Sequence, residues 1–529
     1  MRSLKAPKVE RKGALMLSGY GVAMRHTFST DVLICGAGAA GLTLAIDLAR
    51  RGIAFRLIDK IDAPFLGARG KAIQPRSQEV FEDLGIVDRV VAAGGPYPPQ
   101  RVYRDDGSYQ ESLMMEHRDP TPDEPYAIAI MVPQFLTEAA MRERLAELGH
   151  RPQYGVELEG FDQDGDGVSA HISSAEGVTS IRARYLVGAD GGGSLVRRGL
   201  DIGFPGKSLD IRAVVADVFL EGLDRDAWHR FKDGTPDQIS LCPLRGTDLF
   251  QLQALIPLEG DTDLSTEGLA AMVTKRTGRN DILVRGVTWV SAYSMHARLA
   301  DRFRVGRVLL AGDAAHVHPP TGGQGLNTSV QDSYNLGWKL AAVLSGAPEG
   351  LLASYEDERR PIAAAMLGLS TKLLDELKKP GGMRRGRDTQ QLDLGYLESP
   401  LSLERPLRTS GVRAGHRAPD APIRGAAGVR TRLFNLFQGP HWTLLGYEID
   451  RATAVPARAG LHVHTLGRRG DIVDDGGHVR DGYGLEAGTW VLIRPDGYIG
   501  AIASCDAWPA LDRYLQHVGV GAVADRETR

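Results

Sequence analysis

The chain has 529 residues, 43% of them hydrophobic, enough for about two to four domains with cores of their own. Its formal net charge of −3 offers no basic face for nucleic acid, and the single basic run, Lys378–Arg387, contains Pro380, Gly381 and Gly382 and reads as an exposed linker. Cys35, Cys242 and Cys505 stand far apart with no CxxC or His/Cys cluster, which excludes a disulfide framework and a zinc site, and no apolar stretch reaches the ~20 residues that span a bilayer. A reducing cytoplasm suits such a chain.

Residues 1–27 are polar and mixed and read as a disordered extension outside the fold. Asp31–Cys35 is a short apolar strand, and Leu42, Ala45, Ile46 and Ala49 recur behind it at helical spacing. Between strand and helix stand Gly36, Gly38 and Gly41, and a second strand, Phe55–Ile58, ends at Asp59. The first glycine permits a tight turn, the second lets backbone N–H groups approach a pyrophosphate, and the third allows close helix packing. Asp59 can then hold a ribose hydroxyl. A Gly-rich turn would explain the glycines alone, but strand, helix and acid together point to dinucleotide binding.

Residues 75–92 read as a helix interrupted near Gly85, and Phe135–Leu148 as another that Gly149 ends. Residues 153–187 read as strands with a hairpin at Asp162–Gly167. The apolar end Tyr185–Val187 then runs into Gly188-Ala-Asp-Gly-Gly-Gly-Ser-Leu-Val-Arg197, whose ordered Asp-Gly-x-x-Ser-x-x-Arg spacing exceeds what a simple turn requires. Between 200 and 295 the chain is mainly strand-forming and reads as a substrate layer; Trp228, Tyr293 and His296 are positions there that could face a substrate.

The α/β pattern returns with the strand Val308–Ala311, followed by Gly312-Asp-Ala-Ala-His-Val-His-Pro-Pro-Thr-Gly-Gly-Gln-Gly-Leu-Asn327. Asp313 can reach a ribityl or ribose hydroxyl, while Gly322, Gly323 and Gly325 let backbone approach a flat ring. Val330, Tyr334, Gly337, Trp338 and Ala341 then mark one helical face. Residues 376–410 are loop-rich, and a third unit of alternating strands begins near Gly411.

In this order and separation the three motifs resemble those of the FAD-dependent aromatic hydroxylases, the class A flavoprotein monooxygenases of the para-hydroxybenzoate hydroxylase fold. The likeness covers about residues 29–375 and is nearest to phenol, hydroxyphenylpropionate and aromatic-polyketide hydroxylases. It implies an α/β fold: a Rossmann-like FAD-binding domain (28–199 and 296–375), a β-rich substrate domain (200–295), a linker (376–410) and a C-terminal thioredoxin-like domain (411–529) lacking CxxC.

Carried over by position, Gly36, Gly38, Ala39, Ala40 and Gly41 would hold the pyrophosphate and Asp59 the adenosine ribose, with Asp in place of the commoner Glu. Arg69 and Gln134 would touch further parts of FAD, Leu158 would lie near adenine, and Asp190 would serve FAD and NAD(P)H. Asp313 would meet the ribityl chain, and Gly323, Leu326 and Asn327 the isoalloxazine. The positive end of the helix after the third motif would favour the reduced, anionic ring by ~0.3–1 kcal/mol, or about 2 when partly buried.

The implied activity is hydroxylation of a phenolic or polycyclic aromatic substrate with O₂, through a flavin C4a-hydroperoxide, with NADPH or NADH as a transient electron donor. A homodimer is compatible with the C-terminal unit. A phenolic substrate calls for a base; His316 and His318 flank the flavin loop, and each reads equally well as a packing residue. Baeyer–Villiger or epoxidising chemistry would use the same motifs, as would a non-catalytic flavin-binding protein, although the complete Gly322–Asn327 loop favours turnover.

Overall fold

The computed structural model describes residues 29–377, 385–408, 411–425, 427–449, 455–467 and 470–521. The expected extension, 1–27, and most of the basic run lie outside the described residues. Val32, Leu33 and Ile34 are fully buried, as befits a central parallel strand covered on both faces. That strand, Thr30–Cys35, pairs in parallel with Phe55–Asp59 on one side and Gly177–Gly188 on the other, and Gly177–Gly188 pairs in parallel with Val308–Leu310. The register sets Cys35 opposite both Ile58 and Gly188, and Gly188 opposite Leu310. All three motifs therefore leave the sheet at one carboxyl edge, where open α/β sheets bind ligands.

Two helices cover this sheet, Ala39–Arg50 and Gly325–Leu344. They approach so closely that a Cβ on Gly337 would lie 2.2 Å from Asp47 Oδ2. Asp47 is fully buried; burial pushes its carboxyl up, but Arg51 and Arg50, at 2.9 and 2.7 Å, outweigh that and hold it below the usual carboxylate range. The long helix is buried on every side from Asn327 to Ala341, not along one face as its apolar positions suggest, because the C-terminal unit covers its outer side. The helix expected over 75–92 is two, Pro75–Asp83 and Val87–Ala92, since Gly85 takes φ +76° between them.

The second sheet is antiparallel through its centre, with Gly206–Glu221 between Leu283–Leu299 and Leu249–Ile256. It continues through Ile239–Pro243 and Trp228–Phe231 to the hairpin Gln100–Tyr103 and Tyr109–Ser112. The β-rich layer thus extends beyond 200–295: Trp228–Phe231 pairs in parallel with Gln100–Tyr103, a contact across more than a hundred residues.

The C-terminal sheet runs in the order Leu403–Arg405, Ile499–Ser504, Thr489–Ile493, Trp442–Tyr447, Leu461–Leu466, Ile472–Val473, Pro422–Gly425 and Arg430–Arg432. It is fastened to the first unit by a buried ionic cluster. Arg494 grips Glu358 with two hydrogen bonds of 2.7 and 2.9 Å, and Lys339 donates to Glu358 at 2.7 Å. Asp496 accepts from Trp338 Nε1 at 2.9 Å and pairs with Arg494 at 2.6 Å. Burial raises the Glu358 carboxyl, yet Arg494 and Lys339 overcome this and hold it well below the usual carboxylate range.

Replacing Glu358 by Ala leaves Lys339 buried without its anion and Arg494 with Asp496 alone, and a loss of about 3–5 kcal/mol is expected. A urea midpoint within error of the native value would contradict this. Because the folded-state pKa is depressed, the carboxylate's contribution is complete above about pH 4.3 and is lost as pH falls toward the folded value.

Candidate active site

The first turn is closed by backbone contact. Gly36 has φ +105°, and a Cβ there would stand 2.2 Å from the Ala189 carbonyl; a Cβ on Gly41 would stand 1.9 Å from the Gly36 carbonyl. Gly38 differs, since a Cβ there meets only Glu138 Oε1, at 3.8 Å. The fold itself does not demand this glycine, and the open space above it suits a phosphate resting on the N-terminus of Ala39–Arg50. Asp59 accepts from the Ala37 N–H at 2.7 Å and the Ile61 N–H at 3.1 Å, which fixes the loop and leaves acceptor capacity for a hydroxyl. Leu158 is buried two residues after Val156, whose N–H bonds the Asp59 carbonyl.

In the second turn, Asp190 Oδ2 accepts from the N–H groups of Leu195 and Val196, at 2.7 and 3.2 Å. Its Oδ1 is buried and has no hydrogen-bond partner among the described residues. Ser194 caps the following helix by accepting from Arg197 N–H at 2.9 Å, and Arg197 reaches across to the Ala314 carbonyl at 2.8 Å. The second and third motifs are thereby tied together.

In the third turn Asn327 acts as a staple. It accepts from Gln74 N–H at 2.8 Å and donates to the carbonyls of Ala72 and Gly323, at 2.8 and 2.7 Å. Gly322 and Gly323 take φ +78° and +65°. Leu326 lies over Gly70, whose N–H donates to Gln134 at 3.3 Å, while the Arg69 guanidinium stacks over Phe65 and Trp289. Asp313 is exposed at the carboxyl edge, toward Arg69.

His316 is fully buried and bonds Asp332 at 2.5 Å, and Asp332 is held by Arg359 at 2.8 Å and by the Gly312 N–H at 3.1 Å. His318 lies 3.0 Å from the other ring nitrogen of His316; burial, with His316 beside it, pushes His318 down to about 3, so its ring is neutral at physiological pH. The pair braces the third motif from behind, and neither ring lines the cavity beside it.

That cavity, about 1050 Å³ with its open mouth, lies between the second sheet and the glycine loop. Pro320, Thr321 and Gly323 form one side, with Gly70 and Ala72 next to them. Ala213, Leu255, Tyr293, Met295 and Leu374 are its apolar lining and Gln100, Gln238, Ser240, Gln251 and Gln253 its polar lining, with Gln251, Gln253 and Leu255 following one another on one face of a strand. Of the aromatic positions singled out in the sequence, Trp228 and Tyr293 face the cavity, whereas His296 pairs with Ser208 at 3.1 Å. Sequence reasoning missed Lys71, Tyr97 and Arg385. Arg385 corrects the reading of Lys378–Arg387 as an exposed linker, because it is buried at the cavity wall.

Residues 29–370 match the family described as FAD binding domain. The chain is 41% identical over 480 residues to a flavin-dependent monooxygenase of Mycobacteroides abscessus, covering 89% of this chain and 96% of that protein. It is 32% identical to the 12-dehydrotetracycline 5-monooxygenase/anhydrotetracycline 6-monooxygenase of Streptomyces rimosus, covering 89% of this chain and 94% of that one. Among solved structures, a ternary complex of aklavinone-11 hydroxylase with FAD and aklavinone superposes with a TM-score of 0.78 at 26% identity, over 93% of this chain and 99% of that one. A buried orphan acceptor at Asp190, an open glycine at Gly38 and three turns on one sheet edge fit the ligand that this family carries. The chain belongs to the FAD-dependent monooxygenases and, within them, to the aromatic hydroxylases.

Proposed function

We propose that this enzyme hydroxylates a phenolic or polycyclic aromatic compound at the expense of NAD(P)H and O₂. The observation that carries the reading is the cavity, which is bounded by the glycine loop on one side and by a mixed apolar and amide wall on the other. Its mixed lining suits a polycyclic ring system bearing polar substituents, in keeping with the tetracycline and aklavinone names of the relatives.

Gly36, Gly38, Ala39, Ala40 and Gly41 would hold the pyrophosphate of FAD, Asp59 its adenosine ribose and Leu158 the adenine side. Arg69, Gln134, Asp190 and Asp313 would hold the middle of the cofactor, and Gly323, Leu326 and Asn327 the ring. When bound, FAD accepts a hydride from the nicotinamide nucleotide and activates O₂ for insertion into the substrate. The chain supplies shape and dryness. Asn327 fixes the loop against Ala72, and Pro320 with Leu374 keeps water from that side of the cavity.

For the C-terminal unit, the central strand Trp442–Tyr447 is parallel to Leu461–Leu466 and antiparallel to Thr489–Ile493, and the helix Trp508–His517 follows the last hairpin. This order supports a thioredoxin-like arrangement. Without CxxC it serves as a brace, its Arg494 and Asp496 reaching the long helix.

Gly38→Val should leave the thermal unfolding profile near native and lower bound FAD by at least about tenfold, equivalent to ~1.4 kcal/mol or more. Native flavin content would refute the placement of the pyrophosphate. Anaerobic mixing of the holoenzyme with NADPH should bleach the visible flavin bands, faster when one of a panel of phenols, quinones and aromatic polyketides is present. An oxygen inserted beside a ketone in the aerobic product would instead establish Baeyer–Villiger chemistry.

A further inference from the structure

The described residues lining the cavity include four cations, Arg69, Lys71, Arg230 and Arg385, and no carboxylate. Two of the four are provided for. Arg69 lies over two aromatic rings, and Arg230 pairs with Asp233 at 2.5 Å and donates to Gln100 at 2.6 Å. The other two are not. Lys71 donates to the neutral Gln251 at 2.8 Å and sits 4.1 Å above the Trp228 ring. Arg385 lies over the Tyr97 ring at 5.3 Å, and its Nε and Nη1 have no hydrogen-bond partner among the described residues.

Lys71 and Arg385 are only 8% exposed; burial pushes the Lys71 pKa down and Arg385 adds to this, while Cys242 and Asp217 oppose it. The Tyr97 hydroxyl beside Arg385 is likewise buried without a partner, and burial raises its pKa, so it is held as an O–H donor. Cys242, which bonds Lys71, is kept a neutral thiol by burial. Asp217, whose charge attracts Lys71, accepts the Ala68 N–H at 2.7 Å, and burial lifts it to about 6. Two buried cations and a hydroxyl donor thus share one wall of a ligand cavity, a combination that is costly until an anion arrives.

We propose that Lys71, Arg385 and Tyr97 form an oxyanion subsite and that the enzyme selects aromatic substrates bearing an acidic oxygen, either a carboxylate or an ionised ring hydroxyl or enol. This rests on the hydroxylase reading of the cavity. Charge-assisted hydrogen bonds from Lys71 and Arg385 with a third from Tyr97 would orient the ring system, while the apolar lining at Ala213, Tyr293 and Met295 packs against its rings.

The test is ligand binding to the FAD-loaded enzyme, read by tryptophan fluorescence and by perturbation of the flavin spectrum. The probes are 2-naphthoate, the neutral 2-naphthamide, and 4-nitro-1-naphthol, whose ionised form absorbs separately. The native enzyme should prefer 2-naphthoate over 2-naphthamide by at least about tenfold, the equivalent of one charge-assisted contact, or should bind 4-nitro-1-naphthol with a lowered apparent pKa. The first result identifies a carboxylate site and the second a phenolate site. Lys71→Met and Arg385→Gln should each erase the preference while FAD content and 2-naphthamide binding stay near native, and Tyr97→Phe should weaken it. Equal binding of the acid and amide without a lowered naphthol pKa, failure of the native holoenzyme to bind either anion, or an undiminished preference in both cation variants would overturn the subsite. Loss of flavin reduction by NADPH in the native protein would instead overturn the hydroxylase reading.

Discussion

The parallel register of three strands is the constraint on which the rest of the molecule depends. Cys35, Gly188 and Leu310 stand side by side, so turns separated by more than a hundred residues each open at one edge of one sheet. The register is strongly specified, because each strand is buried on both faces and a one-residue slip would exchange its two sets of side chains. The close approach of Gly36 to the Ala189 carbonyl locks the first turn onto the second, and the Arg197 bond to Ala314 locks the second onto the third. The geometry of the three turns in this protein is a property of sheet pairing, with side chains trimming it.

Much of this was legible in the chain. The glycines at 36, 38 and 41, the acids at 59, 190 and 313, and the loop at 322–327 all reside on local strand–turn–helix signals, which sequence displays directly. The helix break at Gly85 was visible as a weakness within one helix, not as a division into two. Long-range pairing was not legible. The hairpin 100–112 carries no mark of its membership in the second sheet, and its place follows only from parallel pairing with Trp228–Phe231. Arg385 was obscured for a related reason. A basic run with prolines and glycines looks solvated, and only tertiary packing against Tyr97 buries one member of it.

The histidines show how chemistry inferred from position alone differs from chemistry inferred from surroundings. His316 and His318 stand within the flavin-loop motif, yet Asp332 and Arg359 draw His316 into the protein interior, away from the cavity. The same Asp332 accepts the Gly312 N–H, so the ion pair helps to set the turn from which Asp313 projects. The buried Asp332–Arg359 pair acts here through geometry: removing either partner would leave the other charge buried without this counter-ion.

Buried arginines elsewhere in the chain give the cavity its contrast. Arg359 bonds Asp332, the Tyr396 hydroxyl and the Thr328 carbonyl, and Arg494 directs every guanidinium nitrogen to Glu358 or Asp496. Arg76, Arg417 and Arg458, also buried, each leave one nitrogen, Nε, without a partner among the described residues. Arg385, also buried, leaves two nitrogens idle beside an idle phenol among the described residues, and the lysine across from it meets an amide, an indole and the Cys242 thiol. Unmet donors of this kind lower the stability of the empty protein, and proteins retain such a cost mainly where function depends on it. The contrast within one molecule therefore marks the corner as a site awaiting an anion, and with no carboxylate among the described residues of the cavity wall that anion is left to be brought by the substrate.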